Sequence, residues 1–371
     1  MIYIIIFVIA TLCVYIAEKS SEKNQKRNNH QQLCSYSPKQ IILFALAVII
    51  LSFLAAIRDK YCGIDVTWYV TPTHEDALYA KGFMSFISDI EKEYGYYIIV
   101  YVITKLFDSL FFVHFFSHVI IIGPILYLLT TLKKEVGINI SVAFFMYLLL
   151  SYNTSLCIVR QNMAASVTLL SIAFLLQKKY IQFFALAIIA CSIHNSNILF
   201  LAPILLLYVA KEKLTSYKYL IGIIIAILSV YVLYAYFLVF FGNIIGEMYM
   251  ERLDGNSDKN SGGILSAVLI ALLIFIPFIF YKKNKCRYVF ALLTPIFALL
   301  FILMGRQAAY FGRMAIPYAA LIPISNAIFL YKKKFFLFGI ILIAFALWYA
   351  HNVLHGGYET YPYIVDKNWN L

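Results

Sequence analysis

The chain alternates long apolar runs with short polar clusters. Residues 40–57, 218–241 and 334–350 are apolar for roughly 17 residues or more, with any charge confined to an edge. That length crosses a hydrocarbon core of about 30 Å as an α-helix. The runs do not alternate between apolar and polar positions, so they do not read as strands of a β-barrel. The pattern predicts an all-α polytopic integral membrane protein forming a single transmembrane domain over 1–371. Its expected spans are 2–17, 40–57, about 110–131, 139–152, 156–176, 181–193, 196–210, 218–240, 263–281, 287–304, 313–330 and 334–350, about 12 in all. Residues 2–17 lack a basic leader and a small-x-small cleavage site, so they are expected to be a first span rather than a signal peptide.

Composition agrees. Of 371 residues 63% are hydrophobic and 13% charged, too few charges to solvate a soluble surface. The net charge of +12 would suggest nucleic acid in a soluble protein. Here the cations fall in short clusters between runs, so they report orientation and no nucleic-acid partner is expected. Six clusters (18–39, 132–138, 177–180, 211–218, 282–287 and 331–334) hold 19 of the 30 Lys and Arg and only four of the 18 acids. They are expected to face the cytoplasm, which places both termini outside. Residues 95–109 would invert every later cluster if they crossed, so they are expected to form an interfacial or re-entrant helix. The longest expected outer segments are then 58–109, carrying amphipathic or re-entrant helices, and 241–262. No internal repeat stands out.

The two sides differ in their cations. Seventeen of the 19 inner ones are Lys, whereas the outer 11 include Arg58, Arg160, Arg252, Arg306 and Arg313. Lysine suffices to set topology; arginine adds a planar fork for bidentate phosphate or carboxylate binding. The candidate chemistry lies on the same outer side. "IRDKYCGIDVTWYV" (57–70) brings Arg58, Asp65 and Tyr69, and "EKEYGYY" (91–97) brings Glu93. "CIVRQNMAAS" (157–166) brings Arg160 and Gln161, and "CSIHNSNILF" (191–200) brings His194 and Ser196. "GRQAAYFGRMAIPY" (305–318) brings Arg306, Arg313 and Tyr318. Each has a plain reading as well: a solvated loop, a helix-end acid, a snorkelling anchor or a turn. As a set they describe an outward-facing cavity with arginines for an anionic lipid headgroup, carboxylates and tyrosines for sugar hydroxyls, and a histidine that titrates near neutral pH. There is no D-x-D, and neither a metal nor another cofactor is expected. The six cysteines form no C-x-x-C pair, and Cys62 and Cys157 are both expected near the outer face, a placement compatible with a disulfide between them.

The motifs in this order resemble the EpsG family of exopolysaccharide and O-antigen polymerases, which are Wzy-like. The resemblance rests on Arg58 followed by "GID" and Tyr69, "EYGY" at 93–96, "RQNMA" at 160–164, "HNS" at 194–196, and Arg313 opening a late span with Tyr318. It covers roughly 40–330. The family often has Pro after the Glu, where this chain has Tyr94. The resemblance implies a GT-C-like, metal-independent glycosyltransferase of the bacterial cytoplasmic (inner) membrane, with its active site facing the periplasm or outside. Its donor and acceptor would be undecaprenyl-diphosphate-linked glycans in exopolysaccharide, capsule or O-antigen synthesis. Membrane lipid, a chain-length regulator and a flippase would be its other partners. Arg160 and Arg313 are expected to face the leaving diphosphate. His194 is the expected base, with Asp65 or Glu93 in reserve. Arg58, Tyr69, Gln161, Ser196, Arg306 and Tyr318 are expected to bind substrate. The rival readings are a lipid-linked oligosaccharide flippase or other transporter, an O-antigen ligase, and an O-acetyltransferase of similar shape. A transporter needs ionisable groups near mid-membrane, whereas these cluster at span ends.

Overall fold

The computed structural model describes residues 2–27, 36–63, 65–209, 264–279, 288–305, 309–330, 335–354, 360–361 and 363–366, with isolated helical positions between 221 and 229. The described residues are helical and contain no strand; Arg58 and Val365 form an isolated antiparallel bridge. Five helical stretches are long and apolar enough to cross a membrane: Ile2–Ser20, Pro38–Ala56, Leu110–Val136, Ile140–Cys157 and Val159–Leu176. Further apolar helices are shorter. These features mark a multi-pass membrane protein. The expected span 218–240 and outer segment 241–262 lie almost wholly outside the described residues.

The chain divides into two compact units. The first comprises Met1–Asn197 with Tyr358–Leu371. It holds α1 (Ile2–Arg27), α2 (Pro38–Ala56), a π-helical turn (Val66–Val70) running into α3 (Thr71–Tyr79), α4 (Phe83–Ile87), α5 (Tyr94–Phe107) and α6 (Leu110–Val136). Next come α7 (Ile140–Tyr147), a second π-helical turn (Leu148–Tyr152), α8 (Asn153–Cys157), α9 (Val159–Leu176) and α10 (Tyr180–Ile193). At Ile158 the backbone leaves the helical region (φ −110°, ψ 74°), separating α8 from α9. The Asn162 side chain donates to Ile158 O at 2.7 Å, satisfying a carbonyl beside the break.

Helix α9 is the centre of this unit. It packs on α6 and α10 and buries Gln161, Asn162, Ser166, Thr168 and Ser171 along with its apolar residues. Helices α1 and α10 instead turn Ile5, Leu12, Ile16, Ile181, Phe184 and Ile188 outward. An exposed apolar face on an apolar helix suits lipid rather than water.

Polar contacts tie the helix ends at two poles. At one, Glu18 of α1 lies 2.9 Å from Lys133 of α6 and accepts from Ile140 N and Ser141 N at 3.0 and 3.1 Å. The carboxylate thereby caps the start of α7. Gln40 of α2 reaches Ala17 O at the same end. Sequence reading assigned these ends to one side. At the other pole Arg58, just past α2, donates to Leu156 O at 2.6 Å and contacts His114 Nδ1 of α6 at 3.1 Å. Arg160 and Glu93 meet here too (below).

Both ends of α5 belong to this second pole. Its first turn adjoins Glu93, and its last precedes α6 only a turn before His114. Lys105, near its end, donates to Leu78 O and Ala80 O of the α3 exit. The C-terminal segment lies along this pole as well. Asp59 N donates to Ile364 O, Asp366 N to Ile57 O, Asn153 Nδ2 to Thr360 Oγ1, and Tyr3 Oη to Thr360 O. Cys62 and Cys157 are buried and not joined to one another, so the disulfide compatible with the expected topology is not formed.

The second unit, Ile198–Gly357, holds most of α11 (Asn197–Val209), then α12 (Ile264–Ile279), α13 (Val289–Gly305), α14 (Ala309–Ala319), α15 (Leu321–Leu330) and α16 (Phe335–Leu354). The single span expected over 313–330 is two helices with a turn at Ala320. Helix α12 packs on α13, α15 and α16.

Candidate functional site

Three elements of the first unit meet at a carboxylate. Glu93 precedes α5, Arg160 is the second residue of α9, and His194 caps α10. Glu93 Oε2 accepts from Arg160 Nη1 at 2.9 Å. His194 Nδ1 lies 2.6 Å from Oε1, close but off the line of an ideal N–H···O bond, and Asn195 N donates to the same oxygen at 3.4 Å. The side chains of Glu93, Arg160 and His194 are 8%, 13% and 23% exposed, so their pairing is largely shielded from solvent.

Local geometry makes this meeting feasible. Glu93 adopts a left-handed backbone (φ 61°), uncommon for a residue with a side chain and often found where function needs a fixed direction. Two residues on, Gly95 abuts the end of α10. A Cβ there would lie 2.3 Å from Ser192 Oγ, 2.8 Å from Ser192 C and 3.0 Å from Ile193 N. Only glycine lets α5 approach closely enough for Glu93 to reach His194 and Asn195.

Burial alone would push the Glu93 carboxyl up. The His194 contact and charge, the Arg160 guanidinium and the Asn195 N–H outweigh it, and hold the carboxyl below its ordinary value of 4.5. It is therefore a carboxylate at neutral pH. Facing it, His194 presents Nδ1 to the carboxylate, which leaves Nε2 outside that contact. The tautomer follows from this contact rather than from observed hydrogens.

Arg160 is stacked as well as paired. Its guanidinium carbon lies 3.7 Å from the centre of the Tyr69 ring and 5.7 Å from that of Tyr96. Tyr69 comes from the π-helical turn Val66–Val70, a kind of irregularity that recurs at functional sites. Arg160 also sits at the N-terminus of an 18-residue helix, where backbone N–H groups favour an anion.

The other expected residues are placed as follows. Asp65 is buried at the start of the Tyr69 turn, Gln161 is buried beside Arg160, and Ser196 is half-buried two residues past His194. Arg58 is 2% exposed and spends its guanidinium on Leu156 O and His114, so it braces the approach to α9. Arg313 and Tyr318 belong to the second unit. There Arg313 is exposed, and Tyr318 is buried against Phe200, Phe297 and Phe301, with its hydroxyl donating to Leu199 O. Arg306 lies outside the described residues.

The sequence includes Gly95 and Tyr96 in "EYGY" but assigns neither a role. Their signal was the lone glycine among the tyrosines of "EYGYY".

The profile of the EpsG family matches residues 41–365, nearly the whole chain. No curated protein sequence and no solved structure gives a significant match.

Proposed function

The chain belongs to the EpsG family, and from that premise we propose that it is a polysaccharide polymerase joining undecaprenyl-diphosphate-linked repeat units at the outer face of the bacterial cytoplasmic membrane. Family membership points to a Wzy-like polymerase; the lipid carrier, the sidedness and the residue roles are part of the proposal. So are the GT-C-like architecture of about 12 spans, the outward-facing cavity and the placement of α5 in the membrane interface.

The observation that carries the reading is the Glu93–Arg160–His194 constellation at one pole of the first unit. It supplies both needs of glycosyl transfer. An acceptor hydroxyl attacks the anomeric carbon of the donor while the bond from that carbon to the diphosphate oxygen breaks. The hydroxyl proton passes to His194 Nε2, with Glu93 orienting the ring. The electron pair leaves with the diphosphate, whose growing charge Arg160 stabilises from a site already low in solvent. Gln161, Ser196 and Asp65, of the same unit, are assigned to glycan or lipid headgroup contacts. One displacement of this kind inverts the anomeric centre and needs neither a protein nucleophile nor a metal.

Deletion of the gene should leave lipid-linked single repeat units in place of a polymer ladder, and the wild-type chain should restore the ladder. Under the transporter reading the single units would be confined to the inner leaflet, so their accessibility to an outside probe separates the two.

A further inference from the structure

Two buried donors, one on Arg160 and one beside it, have no acceptor. The Tyr96 side chain is fully buried, and its hydroxyl makes no hydrogen bond. Arg160 Nε is equally buried and unbonded, while Nη1 is committed to Glu93. A buried donor left unbonded is costly, and native proteins rarely keep one without a reason. Here two occur together, one on each of two adjoining aromatic and cationic groups, at the N-terminus of a long helix. Both are donors, so the missing group is an acceptor. A guanidinium and a helix N-terminus make an anionic oxygen the best match.

Solvent does not reach either atom as the chain stands. The cover is identifiable: Tyr69 stacks 3.7 Å over the guanidinium and is itself 38% exposed, on a π-helical turn rather than a regular helix. Its neighbour Trp68 is exposed.

We propose that Arg160 Nε and the Tyr96 hydroxyl form a phosphate-oxygen subsite that is closed by the Tyr69 ring in the substrate-free protein and opened when a diphosphate displaces that ring. The inference rests on the polymerase reading and adds to it the residue that completes the leaving-group site and the residue that covers it. The incoming oxygen gives each orphaned donor its acceptor. The cation–π contact with Tyr69 is exchanged for a charge-assisted hydrogen bond, which is the stronger interaction.

The test uses the purified full chain in lipid nanodiscs and inorganic pyrophosphate as the probe. Calorimetry should show binding that Arg160→Ala abolishes. Tyr96→Phe should weaken it about tenfold or more, as deletion of a hydrogen bond to a charged group does. The same variant should not lower the melting temperature, because the lost hydroxyl bonded nothing in the free protein. Tyr69→Ala should tighten binding severalfold by removing a contact that must otherwise be broken. With Trp348 and Trp369 replaced by Phe, Trp68 emission should change on pyrophosphate addition and saturate with the calorimetric curve. Unaltered affinity in Tyr96→Phe, weaker affinity in Tyr69→Ala, or no Arg160-dependent binding in the wild type overturns the subsite. Failure of the polymerase reading looks different: a normal glycan ladder from the gene-deletion strain.

Discussion

Glu93 and Arg160, 67 residues apart in the chain, meet at 2.9 Å on the rim of α9. The same carboxylate faces His194 at 2.6 Å, so one acid orients both a guanidinium and an imidazole. Removing that acid should disturb both at once. Glu93→Gln leaves a mostly buried Arg160 without its counter-charge and His194 without an anion to fix its tautomer. The expected outcome is loss of polymer with the protein still present in membranes, together with a stability loss on the order of a few kcal/mol. Immunoblotting of membrane fractions beside a glycan gel separates the two effects.

The direction of the Glu93 shift gives a pH dependence. Its carboxyl titrates lower in the folded protein than its ordinary 4.5, so it contributes stability above that value and loses it as pH falls through the folded value. Thermal melts of the detergent-solubilised protein should therefore show an acid limb below about pH 4.5. Glu93→Gln should melt lower than wild type at neutral pH and show a shallower limb. Parallel curves for the two proteins would contradict the pairing.

Gly95 sets the spacing between α5 and α10. In Gly95→Ala the new methyl meets both the Ser192 side chain and its backbone, and overpacking of this kind costs about 1–3 kcal/mol. The variant should lose activity because Glu93 is pushed away from His194. Adding Ser192→Ala should rescue it only in part, since the backbone contact at 2.8 Å remains. Full activity of Gly95→Ala alone would show that close approach is not required.

The C-terminal segment should brace the second pole. Thr360 is fully buried, and its hydroxyl oxygen accepts from Asn153 at 3.0 Å. Thr360→Val leaves that amide without this acceptor, at a cost of about 1–3 kcal/mol. The melting temperature should fall, while Thr360→Ser should retain most of the wild-type value.

Much of this was readable in the residues. The apolar runs predicted helices where α1, α2, α6, α9 and α10 occur. Glu93, Arg160 and His194 were singled out by type and position, and the structure brings those three together. What stayed hidden depends on distance rather than pattern. Nothing about Arg58 in the sequence distinguishes a guanidinium facing substrate from one bound to Leu156 O. The return of Val365 to Arg58 is a backbone pairing with no side-chain signature. The break at Ile158 and the two π-helical turns shift register by single residues, which hydrophobic periodicity does not resolve.

Sidedness is tested by labelling. In a background without reactive native thiols, a membrane-impermeant maleimide added to whole cells should modify Asn195→Cys, which is exposed beside His194, and spare Lys179→Cys at the other end of α10. The reverse pattern would place the site on the cytoplasmic side.

The most direct measurement of the central claim is the glycan profile of a gene-deletion strain carrying Arg160→Ala, Arg160→Lys or His194→Ala at wild-type protein level. The account predicts single repeat units without a ladder from all three, including the lysine variant, which keeps the charge and loses the fork. Ladders of wild-type length from Arg160→Ala and His194→Ala would contradict it.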